Sequence, residues 1–172
     1  MALGYDQQLF ILAFDHRGSF QKKMFGIAGD PSPEESARII DAKAVIAAGF
    51  ARALDEGANA ANAGILVDEQ FGTDVARTHL GAGRIVAMPV ERSGLDYFDF
   101  EYGDDFGAHI ESFNPTFSKI LVRYNPEANA LGYTQREIAN AIENQLGRAA
   151  AKSGDPQLID RFKAARVALS KI

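Results

Sequence analysis

The chain has 172 residues, with 18 Lys plus Arg against 23 Asp plus Glu, a net charge of -5, and neither cysteine nor tryptophan. Disulfides and cysteine-ligated metal sites are therefore excluded, and no basic excess exists to neutralise nucleic-acid phosphates. No apolar run approaches the ~18 residues of a membrane span, and the N-terminus lacks the basic region of a signal peptide, so a cytoplasmic location is the expectation.

The elements follow in chain order. Residues 9–14 (LFILAF) form a short continuous apolar run, which suits a strand buried on both faces. Ser32, Pro33 and Glu35 make a capping-box pattern, from which a helix runs through Ile39, Ile40, Ala44, Val45 and Ala48 to a stop at Gly57. Residues 64–67 (GILV) are the second strand. Thr73 and Asp74 can cap a short helix over 75–80, ended by Gly81-Ala82-Gly83. Residues 85–90 (IVAMPV) are the third strand, with Pro89 near its end, where pairing stops. An acidic and aromatic loop follows, with the simple reading of a solvated face and the alternative of a lid. Residues 106–113 read as a helix, and 120–124 (ILVRY) as the fourth strand, preceded by Lys119. Thr134 and Glu137 open a helix to about Lys152, and 157–172 read as one more.

Four strands alternating with helices imply a parallel α/β sheet with right-handed crossovers. In such folds ligands bind at the C-terminal strand ends. The candidates there are Asp15, His16, Arg17 and Ser19 after strand one, and Asp68, Glu69 and Gln70 after strand two. Glu91, Arg92 and Ser93 follow strand three, and strand four carries Lys119 at its start and Arg123 near its end. Carboxylates beside cations suit a small anionic substrate and proton transfer next to a carbonyl. Each has a plainer reading. Asp15 and Arg17 can form a structural ion pair, and His16 a structural hydrogen bond. His79 and His109 read as surface helix residues. Asp68 and Glu69 lack a His to complete a typical metal site, so no metal and no cofactor is expected. Lys119 is open to two readings: an amine tuned for imine or acid–base chemistry, or an exposed solubilising residue.

At these segments the chain resembles a known family. LFILAFDHRGSF, ILVDEQFG, IVAMPVERSGLD and SKILVRYNP, in that order over residues 9–126, resemble the first four strands of the class I aldolases acting on tagatose bisphosphate. GILVDEQFG, MPVERSG, DFEYGDDF and LVRYNP are similar to the aldolase-like domain fused to 5-dehydro-2-deoxygluconokinase in inositol catabolism. The resemblance implies retro-aldol cleavage of a phosphorylated ketose or keto acid, such as 2-deoxy-5-keto-gluconate 6-phosphate, to dihydroxyacetone phosphate and malonate semialdehyde. It matches Asp15, Arg17, Asp68, Glu91 and Lys119 to the family's site positions; with the strand-end candidates added, Asp15, Glu91 and Lys119 are the expected catalytic residues, and Arg17, Ser19, Asp68, Gln70 and Arg123 the expected substrate contacts. It places the imine lysine of such enzymes on a later strand, which makes Lys119 a second active-site lysine. A complete (β/α)8 barrel needs ~250 residues, and no strand-like run follows residue 150. The expectation is a TIM-barrel-type half of four βα units over residues 1–152, with a C-terminal helix over 153–172. Such a half calls for self-association or a C-terminal half elsewhere, and a sugar-kinase domain is a possible partner. The alternative is a sugar-phosphate-binding half-barrel, or an inert fragment, without catalysis.

Overall fold

The computed structural model describes residues 7–95 and 99–121, with 154, 156, 157 and 160. The order is β1 (Phe10–Ala13), α1 (Gly18–Phe25), α2 (Pro33–Asp55), β2 (Ala63–Leu66), α3 (Glu69–Gly81), β3 (Ile85–Pro89), α4 (Phe106–Phe113) and β4 (Phe117–Lys119). A single 3₁₀ turn, Gly103–Asp105, precedes α4. Every strand pairs parallel with its neighbour in the chain, giving the sheet order β1-β2-β3-β4. The α/β class and the parallel sheet are thus as expected. Of the helices expected after residue 133, only Pro156, Gln157 and Asp160 are described, and they are helical.

Two compact units divide the chain, Met1–Pro89 with Phe113–Lys119, and Val90–Ser112 with Ile120–Ile172. All four strands lie in the first. The expected boundary at 152/153 lies outside the described residues. Within the second unit Glu91 bridges antiparallel to Phe100. Backbone bonds from Arg92 to Asp99 (2.9 Å) and from Glu101 to Val90 (3.0 Å) flank that bridge. Arg92 also pairs with Asp99 through its side chain at 3.3 Å.

The expected start of α2 is present in full. The Ser32 hydroxyl accepts from the Glu35 N–H at 3.2 Å, and the Glu35 carboxylate accepts from the Ser32 N–H at 2.8 Å. Ile39, Lys43, Ala47 and Phe50 share its buried face. The start of α3 differs from expectation. Asp68 is its cap, accepting from the Phe71 N–H at 2.9 Å, so the helix begins at Glu69 rather than after Thr73. An Asp two residues past a strand end is itself a cap candidate, and it outcompeted the later Thr-Asp pair. α1 was not expected. It is short, and it closes at Gly26, whose φ of 70° is open to glycine. The side chain of Gln21 then donates to the carbonyls of Ile27 and Gly29, which secures the exit.

β2 and β3 form the buried centre of the sheet. Ile65, Val67, Val86 and Met88 stand on one face, packed with Ala47 and Phe50 of α2, Val75 and Ala76 of α3, and Phe113. Fully burying a side chain such as Ile65 or Val86 contributes about 1.5–3 kcal/mol. The other face carries the alternate residues. In one register row Ile11, Gly64 and Ile85 are neighbours. A Cβ on Gly64 would meet Ile85 Cγ2 at 2.7 Å and Ile11 Cδ1 at 2.9 Å, so both isoleucines lean over that glycine. β1 departs from expectation. Phe10 is 57% exposed and Leu12 41%, so this strand is an edge and not a strand buried on both faces. Its apolar run looks like an interior strand because composition cannot report which strands neighbour it. β4 also differs: it is Phe117–Lys119, and Ile120 and Leu121 are exposed residues beyond it. The Thr116 hydroxyl accepts from the Val86 N–H at 3.2 Å, just ahead of the strand that pairs with β3.

Candidate functional site

The shift of β4 matters for the site. Lys119 stands at the C-terminal end of that strand, in register with Pro89 at the end of β3, rather than at a strand start. Asp15 follows β1 by two residues and keeps the facing of Ala13. Lys119 Nζ donates to Asp15 Oδ2 at 3.0 Å. β1 and β4 are the two outer strands. Three strand spacings amount to roughly 14 Å in a flat sheet. The pair therefore requires a sheet curled toward the face that carries Asp15 and Lys119. The side chains are 13% and 29% exposed, which leaves both within reach of a small ligand.

Beneath this pair lies a charge that the sequence reading did not single out. Lys43, on α2, is fully buried. Its ammonium donates to the carbonyls of Phe14 (2.8 Å) and His16 (3.0 Å) and to Asp68 Oδ1. The Phe20 ring lies 5.6 Å away. Desolvation lowers the pKa of Lys43, while the Asp68 carboxylate pulls the other way. Asp15 and Arg17 are close enough to act on the same ammonium, with opposite signs. A signal existed in the chain. Residues 39, 43, 47 and 50 recur at helical spacing, and Lys43 alone among them is charged.

The remaining expected residues are distributed as follows. Asp68 is fully buried, with one carboxylate oxygen on Lys43 and the other capping α3. Arg17 is half-buried at the start of α1, and Ser19 is exposed in its first turn. Gln70 is exposed in the first turn of α3, and His16 is exposed. Glu91 is buried and belongs to the second unit. Arg123 lies outside the described residues. His79 corrects an expectation: it is 4% exposed, packed against the Phe50 ring, and not a surface residue. Burial first, and Arg84 second, lower its pKa. Its helix turns this ring inward against Phe50 of α2, a burial that the amphipathic pattern 71, 75, 76, 79 already implies. His109 is half-buried and stacks on Tyr102 at 3.5 Å. Among the described residues no group of three or more His, Asp or Glu could hold a metal ion. Among them no helix is long and apolar enough to cross a membrane.

Chemically, the arrangement offers an amine and a carboxylate in contact, at the end of a parallel sheet where ligands characteristically bind. The carboxylate can take a proton from the amine or from a bound hydroxyl. The ammonium can hold a phosphate, a carboxylate or a developing oxyanion. The family model described as "Uncharacterized protein conserved in bacteria (DUF2090)" matches residues 4–169. No curated protein and no solved structure matches the chain.

Proposed function

We propose that this chain, which belongs to the DUF2090 family, is an aldolase-like carbon–carbon lyase built as half of a (β/α)8 barrel. The substrate class is a phosphorylated ketose or keto acid, such as 2-deoxy-5-keto-gluconate 6-phosphate, cleaved to dihydroxyacetone phosphate and malonate semialdehyde. The observation that carries the reading is the Asp15–Lys119 contact at 3.0 Å, made across the ends of the two outer strands. Its support at the level of the fold is the sequential parallel order β1-β2-β3-β4, the strand order of a singly wound barrel.

The chemistry needs an electron sink and a base. A lysine amine adds to the substrate ketone and water leaves, forming an iminium. A carboxylate removes the proton of the hydroxyl beta to that carbon. The C–C bond breaks, its electron pair moves into the iminium, and an enamine and an aldehyde result. Protonation of the enamine and hydrolysis of the imine free the second product and the lysine. Lys119 serves either as the imine lysine or as the cation beside it, with Asp15 as the proton carrier. The resemblance assigns an acid–base role to Glu91 as well, which belongs to the second unit. Arg17, Ser19 and Gln70 are the candidate substrate contacts, with Asp68 buried against Lys43; Arg123, a further candidate, lies outside the described residues.

Borohydride trapping tests this reading. The purified chain is incubated with dihydroxyacetone phosphate and borohydride, and its intact mass is measured. A covalent adduct that maps to Lys119, and that vanishes in Lys119→Ala, supports the imine role. A second reading keeps binding without cleavage, and the ion pair itself favours it, since a salt-bridged ammonium is an anion site before it is a nucleophile. That reading predicts no adduct but raised thermal melting in excess ligand. No adduct with unchanged melting overturns both.

A further inference from the structure

The Asp15–Lys119 contact depends on where the turn after β1 is held. The Phe14 N–H donates to the Leu66 carbonyl at 2.8 Å, and there the ladder with β2 ends. Beyond that point Asp15 has Lys43 beneath it. One ammonium holds the Phe14 carbonyl, which belongs to the peptide leading into Asp15, and the His16 carbonyl, which lies just past it. The same ammonium is tied to Asp68, and Asp68 is tied to the first turn of α3. Thus α2, the β1 turn and the start of α3 meet at one buried nitrogen. A buried ion pair is a poor device for stability, because desolvation offsets most of the attraction, and an apolar side chain would fill the space as well. It does fix geometry, since each proton has a defined acceptor.

We infer that Lys43 is a positioning residue, whose buried ammonium sets the β1 turn so that Asp15 meets Lys119. The inference rests on the lyase reading only in taking Asp15 and Lys119 as the reacting pair. The contact itself can be measured without any activity. Displacements of about 1 Å at a reacting group are enough to cost a large factor in rate.

Zero-length carbodiimide coupling reads the contact. The reagent activates the Asp15 carboxylate, the Lys119 amine displaces the urea, and an amide forms only where the two groups touch. Peptide mapping gives its yield. The native chain should form the Asp15–Lys119 amide, and its absence overturns the inference. Asp68→Asn keeps Lys43 on the Phe14 and His16 carbonyls and keeps the cap acceptor; it strands the ammonium and lowers stability, yet while it melts cooperatively it should retain the yield within about twofold. Lys43→Met with Asp68→Asn removes both charges together and should lower the yield about tenfold while melting stays cooperative. If that double variant does not melt cooperatively, Lys43→Gln replaces it. Its side chain falls short of the carbonyls and should show the same drop. A yield equal to the native value in the folded variant overturns the inference, as does a loss in Asp68→Asn alone. A native chain with normal coupling but no borohydride adduct removes the lyase reading and leaves the positioning role. An adduct together with unchanged coupling in the variant does the reverse.

Discussion

Lys43 places a cation at a point with no exposed surface, and the cost of that choice can be measured. Lys43→Met alone leaves Asp68 buried without its counter-ion, and should destabilise the chain by about 3–5 kcal/mol in urea titration. Adding Asp68→Asn should recover a substantial part of that loss, because the stranded charge is gone. His79 gives a pH-dependent counterpart. Its folded pKa lies below the ordinary 6.5 because burial disfavours the imidazolium. Above that value both folded and unfolded forms are neutral and the residue contributes nothing to pH dependence. As pH falls below 6.5, the unfolded chain takes up the proton first, and stability drops until the folded pKa is reached, with about 1.4 kcal/mol per pH unit as the upper bound on the slope. Urea midpoints between pH 7.5 and 5 should show this drop, and His79→Gln should flatten it. At this scale Asp15 was legible, because polar residues after an apolar run are easy to find; Lys119 was singled out at a strand start, and the structure moves it to the strand end. Lys43 was not, because a lone lysine on a helix is usually read as solvated, and only its neighbours at helical spacing reveal its burial.

At the scale of elements, local chemistry was the most readable. The Ser32 box and the helix Phe106–Phe113 lie where the pattern put them. Ser32→Ala should cost about 1 kcal/mol in the same titration, the usual loss for a cap. Boundaries were less readable where two signals competed. Asp68 serves both ends of that junction, with one oxygen capping α3 ahead of the expected Thr73-Asp74 start and the other on Lys43. Likewise the expected strand opens at Ile120, yet pairing with β3 covers Phe117–Lys119, and residues 122–124 lie outside the described residues. Gly64 sits where a close approach requires glycine. An added Cβ would lie 2.8 Å from the Ile85 backbone oxygen, a contact that no side-chain rotation relieves. Gly64→Ala should therefore destabilise by about 1–3 kcal/mol, read as a lowered thermal midpoint.

For the molecule as a whole, the parallel sense of the sheet in the described residues was legible from the alternation of apolar runs and helices. The position of each strand within the sheet was not, since neighbours are set by packing and not by composition. β1 shows the difference, with three apolar side chains at an open edge. Leu12→Lys should change stability by no more than about 0.5 kcal/mol if that edge faces solvent. A loss of about 2 kcal/mol or more would mean that the edge is covered in solution. The ion pair between Asp15 and Lys119 has a consequence for how the chain comes into being. Its members are 104 positions apart, and the strands that carry them are the first and last of the sheet. Contacts with such separation form late in folding, after the ring of chain between them has been ordered. A ribosome-bound segment that has not yet released residue 119 holds every helix and strand up to β3, yet it brings no amine to Asp15. The Asp15–Lys119 ion pair thus closes only once residue 119 has joined the sheet, and its formation marks the docking of β4.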